Sequence, residues 1–351
     1  MHDPSRHNLS AKTLTSADPV FREDPHPAYD RLRGMPTPAA IADYGCRFVT
    51  RHDQVLQGLK HRSFSVDARN AAPGSYMRRV AGTGVRESQG DAAYEPPLVL
   101  LDDPAHRHIR ALVSKAFNPN TIEAMRPRVQ QITTGLLDAL QDREQIDFIA
   151  DFAAPLPTMV ILDMMGLPLE YSTDFKQWSE DILWGYDPER DRATQTRLRE
   201  GYLGMAQVFR EALADRRRSP GTDLISALVQ ARDADASLTE LQVISLCTQL
   251  MVAGNVTTTD LMGNGIYALL THPQQLAWLL DHPAAVPDAV EEMLRYDCPI
   301  TETARIALVE DRYAGCPAHP GDTFTLSLSA ANRDPAVFDK PHEFELQRVP
   351  Q

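Results

Sequence analysis

Residues Leu250–Gly265, LMVAGNVTTTDLMGNG, place small and hydroxyl-bearing side chains inside a segment with the apolar character of a buried helix. Glycine in a helix interior costs about 1 kcal/mol relative to alanine. Threonine is stiff, and its hydroxyl can bond the carbonyl four residues earlier. Thr257 lies four residues after Ala253, and Thr258 lies four after Gly254. The pattern predicts a loosened turn and a shallow groove for a small ligand; close packing against a neighbouring helix is the alternative.

Two further pairs have helical spacing that suits charge recognition. His106 and Arg110 are four residues apart, so they share a helix face that could bind a carboxylate or a phosphate. A solvated surface face would show the same spacing. Glu292 and Arg295, three residues apart, can form an ion pair, although surface helices carry many pairs of this kind.

These residues need rigid elements to position them, and most of the chain has a helical pattern. The helix that carries Ala253 is predicted to start at a capping box, Ser237 with Glu240, and to run to about Leu270, which is roughly 50 Å. The helix that carries His106 is predicted to begin at Pro104 with Asp103 as its N-cap.

The rest of the chain adds a long loop and a few strands. Residues 66–98 show no periodicity and are predicted to form a mobile lid. Two segments, ETARIAL and DTFTLSLSA, alternate like strands, and a turn-rich meander follows them. We therefore expect one mainly α domain with small β-sheets over residues 1–351.

Composition excludes several classes of function. The chain has 351 residues, 43% of them apolar, and a net charge of −13, which argues against binding nucleic acid. There is no run of 18 apolar residues and no signal peptide, so we expect a cytoplasmic protein with no membrane contact. Four separated cysteines, Cys46, Cys247, Cys298 and Cys316, argue against a zinc or disulfide framework.

Taken in order, the motifs HxxxR, AGNVTTTDLMGNG, ExxR and AANRDPAVFDKP resemble those of the soluble bacterial cytochrome P-450 family of haem-thiolate monooxygenases. The resemblance extends from about Asp18 to Arg348. It implies the cytochrome P-450 fold and haem (iron protoporphyrin IX) as cofactor. It also implies hydroxylation of a small apolar substrate with O₂ and electrons from a ferredoxin or flavoprotein.

The resemblance assigns a role to each quoted residue. Ala253 and Gly254 would leave room for O₂ beside the haem, and Thr257, with Thr258 next to it, would serve proton delivery. Contacts to the haem propionates would come from His106, Arg110 and Arg305. Leu250, Ile300 and Thr301 would line the substrate pocket, and the 66–98 loop would cover it. Glu292 and Arg295 would form a buried structural ion pair.

The chain departs from the family pattern in two places. Val256 stands where the family often has an acid, so protons would need water, Asn255 or, less directly, Asp260. The family's FGxGxHxCxG loop, which supplies the iron-ligating cysteine, and the last helix do not occur before residue 351. Cys247 would lie on the wrong side of the haem.

The second departure leaves three hypotheses. The first is a truncated cytochrome P-450, inactive on its own because the cysteine ligand is absent. The second is a haem-free P-450-like scaffold that stabilises a partner enzyme; the retained AGNVTTT, HxxxR and Arg305 argue against it. The third, an unrelated helical binding protein, is disfavoured by the order of the motifs.

Overall fold

The structure is a computed structural model that describes residues 14, 18–82, 95–117, 119–187, 190–234 and 238–348. It divides into two compact units, one formed by residues 1–82 with 264–351, and the other by residues 83–263. The prediction of a single domain over residues 1–351 stays a prediction.

Helices dominate the described residues. In chain order they are α1 (Pro19–Glu23), α2 (His26–Arg33), α3 (His52–Leu59), α4 (Tyr76–Gly82), α5 (Ala105–Ala116), α6 (Pro119–Asp138), α7 (Pro155–Met164), α8 (Ser172–Trp184), α9 (Arg192–Arg218), α10 (Leu224–Ala234), α11 (Glu240–Thr271), α12 (Pro273–Asp281), α13 (Val286–Tyr296) and α14 (Leu328–Ala331). A π-helical segment, Ile149–Ala153, directly precedes α7. None of these helices is long and apolar enough to cross a membrane.

The described strands form two small sheets in the first unit. They are β1 (Ala39–Ile41), β2 (Cys46–Val49), β3 (Phe64–Ser65), β4 (Glu302–Ala307), β5 (Asp311–Tyr313), β6 (Cys316–Ala318) and β7 (Thr323–Ser327). The larger sheet has the order β1-β2-β7-β4-β3, and only β2 and β7 are described as parallel neighbours in it. Together with the helices, these sheets confirm the predicted mainly α class.

The register of β4 against β7 decides which side chains share a sheet face. Arg305 lies opposite Phe324, and Thr303 lies opposite Leu326. Because directly opposed residues point to the same side, these four share one face, and Glu302 points to the other. Phe324 and Leu326 are fully buried there, so Arg305 emerges from a rigid apolar face.

The second unit is an all-helical core in its described part. Its largest fully buried side chains include Phe175 of α8, Phe209 of α9 and Met251 of α11. Ile109 and Val113 of α5 belong to the same apolar cluster, so α5 and α11 are fixed in a common core. Helix α11 has 32 residues, or about 48 Å, and remains α-helical throughout, so the predicted loosening of one turn is not present.

Two helix starts differ from the predictions. At α11 the capping box is formed by Thr239 and Gln242, whose side chains and backbone amides bond reciprocally at 2.9 and 3.1 Å. The prediction of Glu240 in that role was wrong, since Glu240 pairs with Arg217 at 2.6 Å, and Ser237 lies outside the described residues. Both SxxE and TxxQ satisfy the capping pattern, and they overlap in SLTELQ.

At α5 the N-cap is Pro104, with no side-chain cap, so the prediction of Asp103 was wrong by one residue. The Asp103 carboxylate instead lies 2.6 Å from Nη2 of Arg107. Within the predicted lid, the structure adds helix α4 and short 3-10 turns at residues 68–70 and 98–100; residues 83–94 lie outside the described residues.

Candidate active site

Helix α11 has a buried face and an accessible face. At about 100° per residue, Ala253, Thr257 and Asp260 fall within an arc of roughly 60°. Ala253 and Asp260 are exposed, and Thr257 is partly exposed. Asn255, about 200° round from Ala253, is only 1% exposed. Ala253, Thr257 and Asp260 therefore share one open stripe of α11, and Thr258 is exposed outside that stripe, about 140° round from Ala253.

The threonines behave differently from one another. Oγ1 of Thr257 donates to the carbonyl oxygen of Ala253 at 2.6 Å, as its spacing predicts. No bond from Thr258 to the Gly254 carbonyl is present between these two described residues, and Thr258 is exposed. Thr259, which sequence reasoning passed over, is buried and lies 3.0 Å from the Asn255 carbonyl oxygen and 3.2 Å from that of Ala153.

Gly254 has a packing explanation of its own. A Cβ built on it would overlap Cδ1 of Ile161, which belongs to α7. Close approach of two helices at a small residue therefore accounts for the glycine, whereas the neighbouring Ala253 remains exposed. The two explanations offered by the sequence thus apply to different residues. Contact of Ala253 or Gly254 with a bound ligand stays a prediction.

The two polar residues near Thr257 in sequence, Asn255 and Asp260, lie on different faces of α11. Nδ2 of Asn255 is buried without a hydrogen-bond partner among the described residues, and it points away from the open stripe. Asp260 lies on the stripe, and burial together with the charge of Glu180 raises the pKa of its carboxyl group. Of the two polar groups suggested by the sequence, Asp260 is the one on the same face as Thr257.

Helix α5 presents a cationic face. Ile109 and Val113 of the same helix belong to the buried core of the second unit and fix α5 in place. His106 has a side chain that is 41% exposed, with Nδ1 3.7 Å from a carboxylate oxygen of Asp103. Arg110, one turn later, is exposed and forms no ion pair with any described residue. An uncompensated guanidinium on a rigid helix suits a carboxylate ligand.

The remaining residues predicted to contact haem or substrate are Arg305 within β4, Ile300 and Thr301 just before β4, and Leu250 on α11. Nη1 of Arg305 donates to the Ala304 carbonyl at 2.8 Å and to Oγ1 of Thr303 at 3.3 Å. Ile300 is 50% exposed, and Thr301 beside it is exposed. Leu250 of α11 is partly buried and packs on the core of its own unit, the second one. Their roles toward substrate and haem stay predictions.

Glu292 and Arg295 form a bidentate pair on α13, with distances of 2.7 and 2.8 Å, and both are at most 8% exposed. The guanidinium also donates to the carbonyls of Asn332, Pro341 and Glu343 at 2.8–3.0 Å. These bonds tie the turn-rich segment after α14 to α13, which is a structural role.

Sequence reasoning missed Glu302, a partly buried acid at the start of β4. The hydroxyl of Tyr76 in α4 donates to its Oε1 at 3.1 Å, and burial raises the pKa of the carboxyl group. The only sequence indication is an acid inside an alternating strand, which exposed strands also show. On the sheet face opposite Arg305, Glu302 fastens α4 to β4.

The comparisons with known proteins show the family to which this helical fold belongs. The Cytochrome P450 family profile matches residues 91–279. Cytochrome P450 107B1 of Saccharopolyspora erythraea is 32% identical over 342 residues, covering 95% of this chain and 81% of that protein. From the same organism, 6-deoxyerythronolide B hydroxylase is 35% identical over 331 residues, covering 93% and 80%.

A solved structure is also similar, that of P450BioI in complex with hexadec-9Z-enoic acid ligated acyl carrier protein. It has a TM-score of 0.83 and 31% identity, and the match covers 94% of this chain and 84% of that one. The chain belongs to the cytochrome P450 family. By family it is an oxidoreductase of the monooxygenase class whose cofactor is haem.

The residues present fit part of that cofactor. Arg110, which forms no ion pair with a described residue, suits a propionate, and the exposed Ala253 leaves one side of α11 uncovered. The cysteines do not fit the iron: all four are buried, and burial raises the thiol pKa to about 12 in Cys46 and Cys247 and to about 11 in Cys298. A thiolate ligand requires the opposite, a lowered pKa.

Proposed function

We propose that this chain forms the oxygen-side and propionate-side walls of a haem monooxygenase. The enzyme would hydroxylate a small apolar molecule with O₂ and electrons from an external ferredoxin or flavoprotein. The observation that carries the proposal is the open stripe of α11, where Ala253 is uncovered and the Thr257 hydroxyl is held on its carbonyl. A helix inside an apolar core gains nothing from such a stripe unless a ligand faces it.

The chain's own residues have separable tasks in this proposal. His106 and Arg110 of α5 would hold a haem carboxylate through charge-assisted hydrogen bonds, and we propose a carboxylate contact for Arg305 of β4 as well. Ala253 would leave room for the cofactor's small ligand, and the Thr257 oxygen, which can accept as well as donate, would order water or dioxygen in the open stripe. The haem iron supplies the oxygen chemistry itself.

An apolar substrate agrees with the predicted pocket residues and with the relatives. Ile300 is half exposed and Leu250 partly buried, so both offer apolar surface. The names of two relatives mention 6-deoxyerythronolide B and hexadec-9Z-enoic acid, which are largely apolar molecules. We propose a substrate of this general character.

We also propose that none of the four cysteines ligates the iron, because each is buried with a raised thiol pKa. The 351 residues would then bind haem without the absorption band of thiolate-ligated, reduced carbon-monoxide haem, and would not hydroxylate substrate on their own. The appearance of that band would overturn this part of the proposal.

Haem titration of the full chain tests the rest. Arg110→Ala should weaken haem binding by about 10-fold or more, because a charge-assisted bond contributes about 1.5–3 kcal/mol. Arg107→Ala is the matched control: it removes the same group from the same helix, but from a side chain that is 80% exposed and paired with Asp103. Hexadec-9-enoic acid, added to the haem-loaded chain, should change the haem absorption.

A folded wild-type chain that takes up no haem would refute the proposal and favour the haem-free scaffold. Equal effects of Arg110→Ala and Arg107→Ala would show that haem binds elsewhere. Failure of the apolar acid to alter the haem spectrum, with haem bound, would refute the proposed substrate class.

A further inference from the structure

The acidic residues of α11 differ in whether they are bound to an arginine. The helix contains two carboxylates, Glu240 in its first turn and Asp260. Glu240 is bound to Arg217 at 2.6 Å and to Arg232 at 3.2 Å. Asp260 follows Thr257 by three residues on the open stripe, so their Cβ atoms are about 5–6 Å apart. A single bridging water can span that separation.

The alternatives on α11 can be set aside by position. Val256 carries no titratable group. Asn255 faces the core, about 200° from Ala253, and an amide does not titrate. Asp260 is therefore the titratable side chain that the described helix places beside the Thr257 hydroxyl.

The surroundings of Asp260 favour a protonated carboxyl group. Burial and the negative charge of Glu180 in α8 both raise its pKa. Glu180 itself lies 3.1 Å from Nζ of Lys176, and both of these side chains are 39% exposed. A proton donor must carry its proton near the working pH and be able to regain it from solvent. The raised pKa of Asp260 favours the protonated form, and its exposed side lets the carboxylate regain a proton from solvent.

We propose that Asp260 is the proton-relay residue of this chain and replaces, one turn later, the acid that position 256 lacks. The proposal rests on the proposed monooxygenase function. The Asp260 O–H bond breaks and its proton passes to a bridging water, which gives a proton to the Thr257 oxygen. The Thr257 hydroxyl proton passes to a second water molecule in the open stripe, which becomes the hydronium ion delivered there, and the Asp260 carboxylate regains a proton from bulk water. Asp260 acts through Thr257, so it is a positioning residue.

The first test needs no haem and uses the full chain. Infrared difference spectra between wild type and Asp260→Asn, recorded across pH, isolate the Asp260 carboxyl band. The band should titrate above the ordinary aspartate pKa of about 3.9, and Glu180→Gln should lower its midpoint. Thr257→Val should shift the band, because it removes the hydroxyl at the other end of the water bridge. Asp142→Asn, on an exposed turn, is the control and should leave the band unchanged.

A band that titrates at the ordinary value, or that is insensitive to Thr257→Val, overturns the proposal. The second test uses the haem-loaded chain with carbon monoxide as a probe in the groove. Its stretching frequency should shift with pH in wild type and in Asp260→Glu, and should lose this pH dependence in Asp260→Asn. If the wild type binds no haem, the proposed function fails. The infrared titration still tests whether Asp260 has a raised pKa and a water bridge to Thr257, because it needs no haem.

Discussion

Replacing Gly254 by alanine separates the packing role of this glycine from a role in ligand binding. In a helix interior the change gains about 1 kcal/mol of helix propensity. The new Cβ would overlap Cδ1 of Ile161, and overpacking of a core costs about 1–3 kcal/mol. We therefore expect Gly254→Ala to lower the free energy of unfolding by as much as about 2 kcal/mol. Gly135→Ala in α6 is the control, since a Cβ there meets nothing within 4 Å, and it should stabilise the chain.

The partner substitution makes the test sharp, because Ile161→Val removes the very atom that the new Cβ would meet. Alone, it should cost about 0.5–1.5 kcal/mol, as Ile161 is only 8% exposed. In the double variant Gly254→Ala/Ile161→Val, the alanine Cβ fills the space that the isoleucine Cδ1 has left. The gain in helix propensity is the same in both backgrounds, so it cancels in the double-mutant cycle. Urea unfolding of the four proteins should give a favourable coupling of about 1–3 kcal/mol at unchanged m-value. Coupling below about 0.5 kcal/mol would refute the packing explanation of Gly254.

Two further predictions concern buried charges of the first unit. Glu292→Gln leaves the Arg295 guanidinium buried without its counter-charge, so the free energy of unfolding should fall by about 3–5 kcal/mol. The control is Glu291→Gln at the exposed neighbouring position, which should change the free energy of unfolding little. Equal losses for the two variants in urea unfolding would contradict this account. The pKa of His26 is lowered from 6.5 to about 4, mainly because the ring is buried and secondly because of the charge of Arg333. Folding therefore favours the neutral ring, and stability present above pH 6.5 is lost as pH falls toward 4, by at most about 3 kcal/mol. His26→Gln should flatten the stability profile in that window, as measured by urea unfolding at a series of pH values; an unchanged slope would contradict the prediction.

Elements with a clean apolar period were predictable from the sequence. Helix α9 spans Arg192–Arg218, where its amphipathic pattern and the following Ser-Pro-Gly place it. Helix α8 was missed because its buried face includes Ser179 and Asp181 beside Phe175 and Ile182, so the hydrophobic period is broken. The Asp181 carboxylate is satisfied by a bond that only the folded structure supplies, since Nε of Arg197 in α9 donates to its Oδ1 at 3.2 Å.

At the candidate site, residue types were predictable but orientations were only partly so. The Thr257–Ala253 bond follows from local spacing, and the structure contains it. Local spacing could not distinguish Thr258 from Thr259, because the choice depends on the Ala153 carbonyl, which is 106 residues away in sequence. Likewise, the contact of Gly254 with Ile161 joins two helices whose approach no local pattern specifies.

The structure of α11 suggests why small and polar residues cluster at its centre. A helix that only packed on α7 would need one small residue, and Gly254 provides it. A helix that only bordered solvent would have polar residues on the open side, without the uncovered Ala253 between apolar neighbours. The sequence AGNVTTTD combines both demands within two turns: glycine faces a neighbouring helix, while alanine, threonine and aspartate face outward. Since these demands lie on different faces, substitutions at Gly254 should act on stability, and substitutions at Ala253 and Asp260 on ligand binding and proton supply.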